Sequence, residues 1–318
     1  MIEVEDVRRS FVVRRKEGRF RRTTHTVRAV QGIDFTIQAG EMVGYIGPNG
    51  AGKSTTIKML TGILVPTSGR IIVAGFTPSA QRTQLASRIG VVFGQRTTLW
   101  WDLPLRDSFD LLRRIYRVPS DRFRQNLDTF TDVLDLGSLL DTPVRQLSLG
   151  QRMRGDIAAA LMHDPDVVYL DEPTIGLDVV SKQNLRDFLR ETNRERGVTV
   201  LLTTHDLVDI EKLCRRVMVI DHGGLVFDGD LEGLHSLGRA ARMLVIDLVE
   251  AVDPIVIEGA KTVRVEGPRQ WLTFPAEASA APLVSQVAAA YQVADLSILE
   301  PNIEDVIRAI YTRATPPE

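Results

Sequence analysis

Apolar and polar positions along this chain alternate between two kinds of run. Glu41 to Ile46, Ile89 to Phe93, Val167 to Leu170 and Val198 to Thr203 are short, nearly unbroken apolar stretches, which read as buried strands. Gly69 to Gly75 reads as another strand. Helical spacing follows from Ser54 to Thr61, with Ile57, Leu60 and Thr61 on one side, and dominates from about Thr97 to Leu161. Strands alternating with helices predict an α/β layered domain with a largely parallel sheet. The first segment, Met1 to about Ile46, differs. It reads as short strands at Ile2, Val4 and Val7 to Val13, then the basic run Arg14 to Arg22 around Gly18, then β character from Thr26 to Ile37. Gly18 suits a hairpin turn. The basic run is either a solvated hairpin tip or a contact for lipid headgroups or nucleotide phosphates.

Around Gly238 the pattern changes. Leu244 to Val249, Val263 to Glu266, Trp271 to Phe274 and Val293 to Leu299 read as strands, with an Ala-rich helix at Ala280 to Tyr291 and a last helix at Pro301 to Arg313. The expected division is therefore a large domain over 1–238, with a helical part at about 97–161, and a small α+β domain over 239–318.

Composition narrows the partners more than the fold. The 318 residues are 44% hydrophobic and 25% charged, as in an ordinary globular protein, and the net charge of -2 gives no global reason to expect nucleic acid. The single cysteine, Cys214, excludes an intrachain disulfide and fits a reducing cytosol. No run reaches the roughly 18 apolar residues of a bilayer span, and the acidic start Met1-Ile2-Glu3-Val4-Glu5-Asp6 lacks the plan of a signal peptide. The expectation is a cytosolic chain that relies on another polypeptide for any membrane part.

The chemistry begins at Gly47-Pro48-Asn49-Gly50-Ala51-Gly52-Lys53-Ser54, which satisfies G-x-x-x-x-G-K-[ST] between a predicted strand and a predicted helix. Glycines let backbone N–H groups turn toward phosphates, and the helix adds its N-terminal N–H groups and dipole. Lys53 is expected on the β- and γ-phosphates of ATP, and Ser54 on Mg²⁺. Val167 to Leu170 then delivers Asp171 and Glu172 to a strand's C-terminal end, facing the crevice of an α/β sheet. Asp171 is expected to hold Mg²⁺ and Glu172 to orient or deprotonate the attacking water.

Together these residues resemble the nucleotide-binding subunits of ABC transporters, in a series running from Phe11 to His205. Gly47 to Thr55 matches the Walker A loop, with Thr55 closing it, and Gln95 the Q-loop glutamine. Leu147-Ser148-Leu149-Gly150-Gln151 is similar to the signature motif LSGGQ, with Leu149 in place of its first glycine. Asp171-Glu172 matches Walker B and the catalytic glutamate, Gly176-Leu177-Asp178 the D-loop, and Thr204-His205-Asp206 the H-switch.

The resemblance implies a P-loop NTPase ABC cassette: a mixed sheet core with an antiparallel β subdomain and a helical subdomain, followed here by the α+β appendix. It implies ATP hydrolysis through Lys53, Gln95, Glu172 and His205, and Mg²⁺ at Ser54, Gln95 and Asp171. Adenine would stack on Phe11, or on Phe20 if the basic insertion shifts the loop. Ser148, Gly150 and Gln151 of one subunit, with Asp178, would close over ATP held by a second copy. Gln95 to Arg117, with the adjacent Trp100 and Trp101, would dock a membrane permease. The ending Glu300-Pro301-Asn302-Ile303-Glu304-Asp305-Val306-Ile307, the "GQ…LWWDLP" segment and the run after Ser148 are similar to ABC-2 type exporters. The implied place is the cytoplasmic face of the membrane, held peripherally. A soluble ABC-type ATPase acting on ribosomes or DNA, and a non-hydrolysing scaffold, are the alternatives. One uninterrupted cassette with Lys53, Asp171, Glu172 and His205 intact weighs against both.

Overall fold

The computed structural model describes residues 1–17, 21–94, 96–204, 206–238, 242–275, 277–299 and 306. The chain divides into two compact units, Met1–Asp228 and Gly229–Glu318.

The first unit opens with β1 (Ile2–Glu17) and β2 (Arg21–Ile37), then β3 (Met42–Ile46), α1 (Lys53–Leu60), β4 (Ser68–Val73), α2 (Arg82–Ala86) and β5 (Ile89–Phe93). Three helices follow, α3 (Leu105–Ile115), α4 (Ser120–Val133) and α5 (Leu149–Leu161). The unit continues with β6 (Val167–Asp171), α6 (Val179–Arg196), β7 (Thr199–Thr203), α7 (Leu207–Leu213), β8 (Arg216–Asp221) and β9 (Gly224–Asp230), the last crossing into the second unit.

The opening strands are longer than the short ones expected from sequence. β1 and β2 form one antiparallel hairpin whose register runs from Ile2↔Ile37 to Glu17↔Arg21. The basic residues that read as the hairpin's solvated tip continue its ladder, paired through their backbones, which needs no apolar side chain. β4 joins β1 on its other edge, giving the order β2-β1-β4. The second sheet has the order β5-β6-β7-β3-β8-β9, with β5, β6, β7, β3 and β8 parallel through their shared pairings. Its central strands are buried on both faces, which is why they read as unbroken apolar runs. One core joins the two sheets and α1: Ile2, Ile33 and Ile37 meet Tyr45, Ile57, Leu60 and Met218.

In the helical part, α3 buries Leu105, Ser108, Phe109 and Leu112, the spacing of one helix face. Burying a side chain such as Phe109 contributes about 1.5–3 kcal/mol. α5 is buried nearly all round after its first turn. Its buried Asp156 accepts hydrogen bonds from Thr98 N at 2.9 Å, Thr97 Oγ1 at 2.9 Å and Thr98 Oγ1 at 3.1 Å. Burial pushes that carboxyl up from its ordinary pKa and the three donors pull it back.

The second unit carries α8 (Leu231–Gly238) and the antiparallel strands β10 (Arg242–Leu248), β11 (Lys261–Glu266), β12 (Arg269–Phe274) and β13 (Val293–Leu299), with α9 (Ala280–Ala290) before β13. The sheet order is β11-β12-β10-β13. Leu244, Ile246 and Leu248 alternate inward on β10 and meet Leu272, Phe274, Leu283 and Val287. The final helix expected over Pro301 to Arg313 lies outside the described residues, apart from Val306.

Candidate functional site

The parallel strands β3, β5, β6 and β7 end on one edge of the sheet, because they run in register. The chain leaves β3 through α1 and β4 and reaches β5 at the sheet's far edge, so strand order reverses beside β3, where crevices form in such sheets. A cavity of about 520 Å³ opens there. Its walls come from Asn49, Gly50 and Gly52 to Thr55 of the phosphate loop, from Asp171, Glu172 and Ile175 at and after the end of β6, and from Phe93 and Gly94 at the end of β5. Ala29, Lys58, Ile63 and Arg96 complete it.

The phosphate loop is shaped for close approach. Gly52 caps α1 at φ +112, and a Cβ there would fall 2.6 Å from the Ala29 carbonyl oxygen. No side chain among the described residues caps this helix end, so its first-turn N–H groups are offered to whatever enters the cavity. Ala51 is buried, and its carbonyl accepts from Gly223 N at 2.9 Å, which ties the loop to the turn between β8 and β9. Lys53 Nζ donates to the Gly47 carbonyl at 2.5 Å and to the Pro48 carbonyl at 3.1 Å. Burial lowers the pKa of its ammonium, and the nearby Glu172 and Asp171 carboxylates raise it again.

Asp171 ends β6. Its Oδ2 accepts from Ser54 Oγ at 3.5 Å, and its Oδ1 accepts from Thr203 Oγ1 at the end of β7. Thr203 was not picked out from sequence, although it closes an apolar strand in the position that Asp171 closes its own. Glu172 follows at φ +55, a left-handed backbone that costs a non-glycine residue about 1–3 kcal/mol. Its N–H donates to the Thr203 carbonyl at 2.9 Å. The neighbouring strand's pairing thus turns Glu172 out of the sheet and into the cavity wall.

Ser148 and Gly150 stand at the start of α5, with Ser148 exposed and Gly150 buried. Ser148 Oγ accepts from Gln151 N at 3.2 Å, and Gln151 Oε1 accepts from Ser148 N at 2.9 Å, a reciprocal capping box. Gln151 therefore has a structural duty at this helix end. Asp178 does too: it caps α6, accepting from Ser181 N at 2.9 Å and Ser181 Oγ at 2.7 Å. Ser148, Gly150, Gln151 and Asp178 do not line the cavity that holds the phosphate loop.

Between α6 and α7 lies a buried ion pair that sequence reasoning also missed. Asp209 of α7 binds the Arg186 guanidinium of α6 through Oδ1 and accepts from Thr174 Oγ1 at 2.7 Å through Oδ2. All three residues are buried. No local pattern announces it, since its members come from three separate segments.

Phe11 is half-buried in the β1–β2 hairpin opposite Val27, with the Arg9 guanidinium 4.6 Å above its ring. It is not part of the cavity wall. Gln95, His205 and Phe20 lie outside the described residues. Trp100 and Trp101 are both exposed, and the Arg152 guanidinium of α5 lies 5.4 Å from the Trp101 ring.

Hard oxygen donors at Ser54 and Asp171, close together on a cavity wall, fit a Mg²⁺ ion that takes its other ligands from phosphate and water. The arrangement as a whole can hold a nucleotide triphosphate at the helix end and place a carboxylate beside its terminal phosphate.

Comparison with known proteins agrees with this geometry. The ABC transporter family pattern matches residues 30–175. The chain is 33% identical over 222 residues to the ABC transporter ATP-binding protein NatA of Bacillus subtilis (strain 168), covering 70% of this chain and 90% of NatA. It is 32% identical over 295 residues to the methionine import ATP-binding protein MetN of Geobacillus kaustophilus (strain HTA426), covering 90% and 85%. It is 32% identical over 299 residues to the daunorubicin/doxorubicin resistance ATP-binding protein DrrA of Streptomyces peucetius, covering 89% and 88%. Among solved structures, the dimeric ATP-binding cassette MJ0796 in a post-hydrolysis state with ADP and Pi superposes with a TM-score of 0.64 at 25% identity, covering 73% of this chain and 99% of that one.

Proposed function

The chain belongs to the family of ABC transporter ATP-binding proteins, and from that membership we propose that it powers export through a separate membrane permease, as a pair of copies sharing two nucleotides. It is an ABC-type ATPase. The observation that carries the reading is the convergence of the phosphate loop with Asp171 and Glu172 on one cavity.

In this reading the α1 N-terminus and Lys53 bind the β- and γ-phosphates, exchanging the Gly47 and Pro48 carbonyls for phosphate oxygens. Glu172 accepts a proton from, or orients, the water that attacks the γ-phosphate. Thr203 holds Asp171 in place from the next strand. A Mg²⁺ held by Ser54 and Asp171, with Gln95 in the resembling role, would neutralise charge on the phosphates when bound. Gln95 and His205 keep the roles implied by resemblance. Phe11 remains the proposed adenine platform, with its Arg9 cover to be displaced. Ser148 and Gly150 are proposed to meet the ATP of the second copy, which fits their place outside this chain's own cavity. MJ0796, a related cassette, is dimeric with ADP and Pi bound, which supports the pairing.

Gln95 to Arg117 is proposed as the permease contact. Exposed Trp100 and Trp101 support it, as does the tie from Thr97 and Thr98 to Asp156, which links that loop to the helix carrying Ser148. The proposed location is peripheral, on the cytoplasmic face, which follows from docking to a permease as an ATP-binding subunit; no helix among the described residues is long and apolar enough to cross a membrane. Export is favoured by the segments similar to ABC-2 type exporters and by similarity to DrrA through the second unit. The similar extent of MetN makes direction the point to test.

The test uses the chain copurified with its membrane partner and reconstituted in vesicles. Glu172→Gln is expected to bind ATP and pair while hydrolysis falls about a hundredfold or more. Substrate should move out of the ATP-side compartment. Unchanged turnover removes Glu172 as base; movement toward the ATP side replaces export with import.

A further inference from the structure

The signature turn meets the loop after Glu172 where Leu149 and Gly150 lie against Gly176 and Leu177. Leu149, the first residue of α5, lies against Gly176: a Cβ on Gly176 would fall 2.8 Å from Leu149 Cδ2 and 2.9 Å from its Cγ. Gly176 holds φ +75, a backbone that glycine adopts without strain. A Cβ on Gly150 would fall 2.6 Å from the Gly176 carbonyl oxygen. Two glycines thus clear side chains from the contact, and Leu149 fills what is left. The sequence stands out here, since the resembling motif has glycine where this chain has leucine.

The rest of the loop leaves little slack between that contact and Glu172. Ile175 N donates to the Glu172 carbonyl at 3.3 Å, and Leu177 N to the Thr174 carbonyl at 3.3 Å, so the chain from Glu172 to Leu177 is two successive turns. Thr174 is anchored on Asp209, and Asp178 is committed to the cap of α6. Ile175 itself lines the nucleotide cavity. Leu149 keeps an exposure of 37%. It therefore contacts the loop on one side and is open to a neighbouring molecule on the other.

We propose that Leu149 is a positioning residue for hydrolysis, bracing the Gly176 backbone so that movement of the signature turn is carried through the loop to Glu172. Close-packed contacts move together rather than yielding gradually. A leucine supplies the contact that a glycine in its place would lack. The inference rests on the reading that Ser148 and Gly150 meet a second copy's ATP.

The experiment compares ATP turnover in the reconstituted complex for Leu149→Ala, Leu149→Met, Gly176→Ala and the Leu149→Ala/Gly176→Ala double variant, beside Ser148→Ala. Alanine is the best helix former, so Leu149→Ala removes the brace without weakening α5 through propensity. The expected result is a kcat about tenfold lower with KM for ATP nearly unchanged, less than the roughly hundredfold that a 1 Å misplacement costs. Leu149→Met should restore most of the rate, because methionine refills a leucine's volume. Gly176→Ala should harm turnover at least about threefold less when Leu149→Ala has made room, the signature of residues in contact. A wild-type kcat in Leu149→Ala, or a defect confined to a raised KM, overturns the brace; so does an additive cycle. If Gly176→Ala does not fold, the Leu149→Ala and Leu149→Met variants still decide. Ser148→Ala separates the two readings. If it is impaired while Leu149→Ala is not, the shared site stands and the brace falls. If Ser148→Ala turns over and pairs like wild type, the shared site falls and takes the brace with it.

Discussion

Two helix N-termini carry the most specific motifs of this chain, and they are finished in opposite ways. α1 begins at Gly52 with no side-chain cap, its first turn facing a cavity. α5 begins at Ser148, closed by a capping box with Gln151. An uncapped end is less stable by roughly 0.5–2 kcal/mol than a capped one, and it is ready for an anion. A capped end is stable alone and has to share its hydroxyl and N–H groups with any ligand. The difference fits a division of labour in which α1 binds phosphate within one chain and α5 adds to a site already filled.

The sharpest way to break this comparison is at α1. Lys53→Ala should lower the ATP affinity of the single chain by about a hundredfold, since charge-assisted hydrogen bonds contribute about 1.5–3 kcal/mol each. Thermal stability should hardly move, because the hydrogen bonds that Lys53 donates among the described residues go to the Gly47 and Pro48 carbonyls of its own loop. Calorimetric titration with ATP measures the first effect and a melting curve the second. Equal affinity in the variant would mean that the helix end alone holds the phosphates.

At α5 the expected pattern is reversed. Ser148→Ala should cost about 1 kcal/mol of stability through the lost cap and leave single-chain ATP affinity intact. Turnover and ATP-driven pairing should fall. Ser148→Asp separates the two duties. Aspartate caps a helix as well as serine does, so stability should return, while its charge would oppose a γ-phosphate and keep turnover low. A Ser148→Asp chain that is both stable and fully active would reduce this end to a cap.

What was legible in the sequence follows the same line between local and shared structure. Gly47 to Ser54 is contiguous, and the strands beside it are buried on both faces, so loop, strands and fold class could be read directly. The β1–β2 hairpin was read from Gly18, but its strands were read too short, because Arg14 to Lys16 and Arg21 to Arg22 look like a solvated tip, while their pairing depends on the opposite backbone. β8 and β9 were not read, although the buried apolar run at Val217 to Ile220 was a usable signal. The left-handed turn at Glu172 and the Thr174–Asp209–Arg186 contacts leave no local trace, since each is set by a neighbouring segment. The resemblance marked Asp178 and Gln151 for nucleotide, and only the hydrogen bonds showed that both also finish helices.

Asp178 extends the comparison to a third helix end and to its smallest expected effect. At α6 the cap is a carboxylate, exposed to solvent and favoured by the positive end of the helix dipole. Hydrogen bonds from the Ser181 N–H and hydroxyl hold its pKa below the usual carboxylate value. A depressed folded-state pKa means that the folded chain favours the ionised form. The contribution is therefore full above the unfolded value of about 3.9, and it is lost as pH falls through the folded value. Asparagine caps nearly as well but does not titrate in this range. Wild type should exceed Asp178→Asn in melting temperature near neutral pH, and the gap should close as pH drops below about 4. Melting curves from neutral pH down to about 3 check this. A gap that stays constant would place the effect of Asp178 in its shape rather than its charge. Single-chain ATP affinity should be the same in both proteins, since Asp178 stands outside the cavity that holds the phosphate loop; a loss there would move Asp178 from the helix cap to the nucleotide.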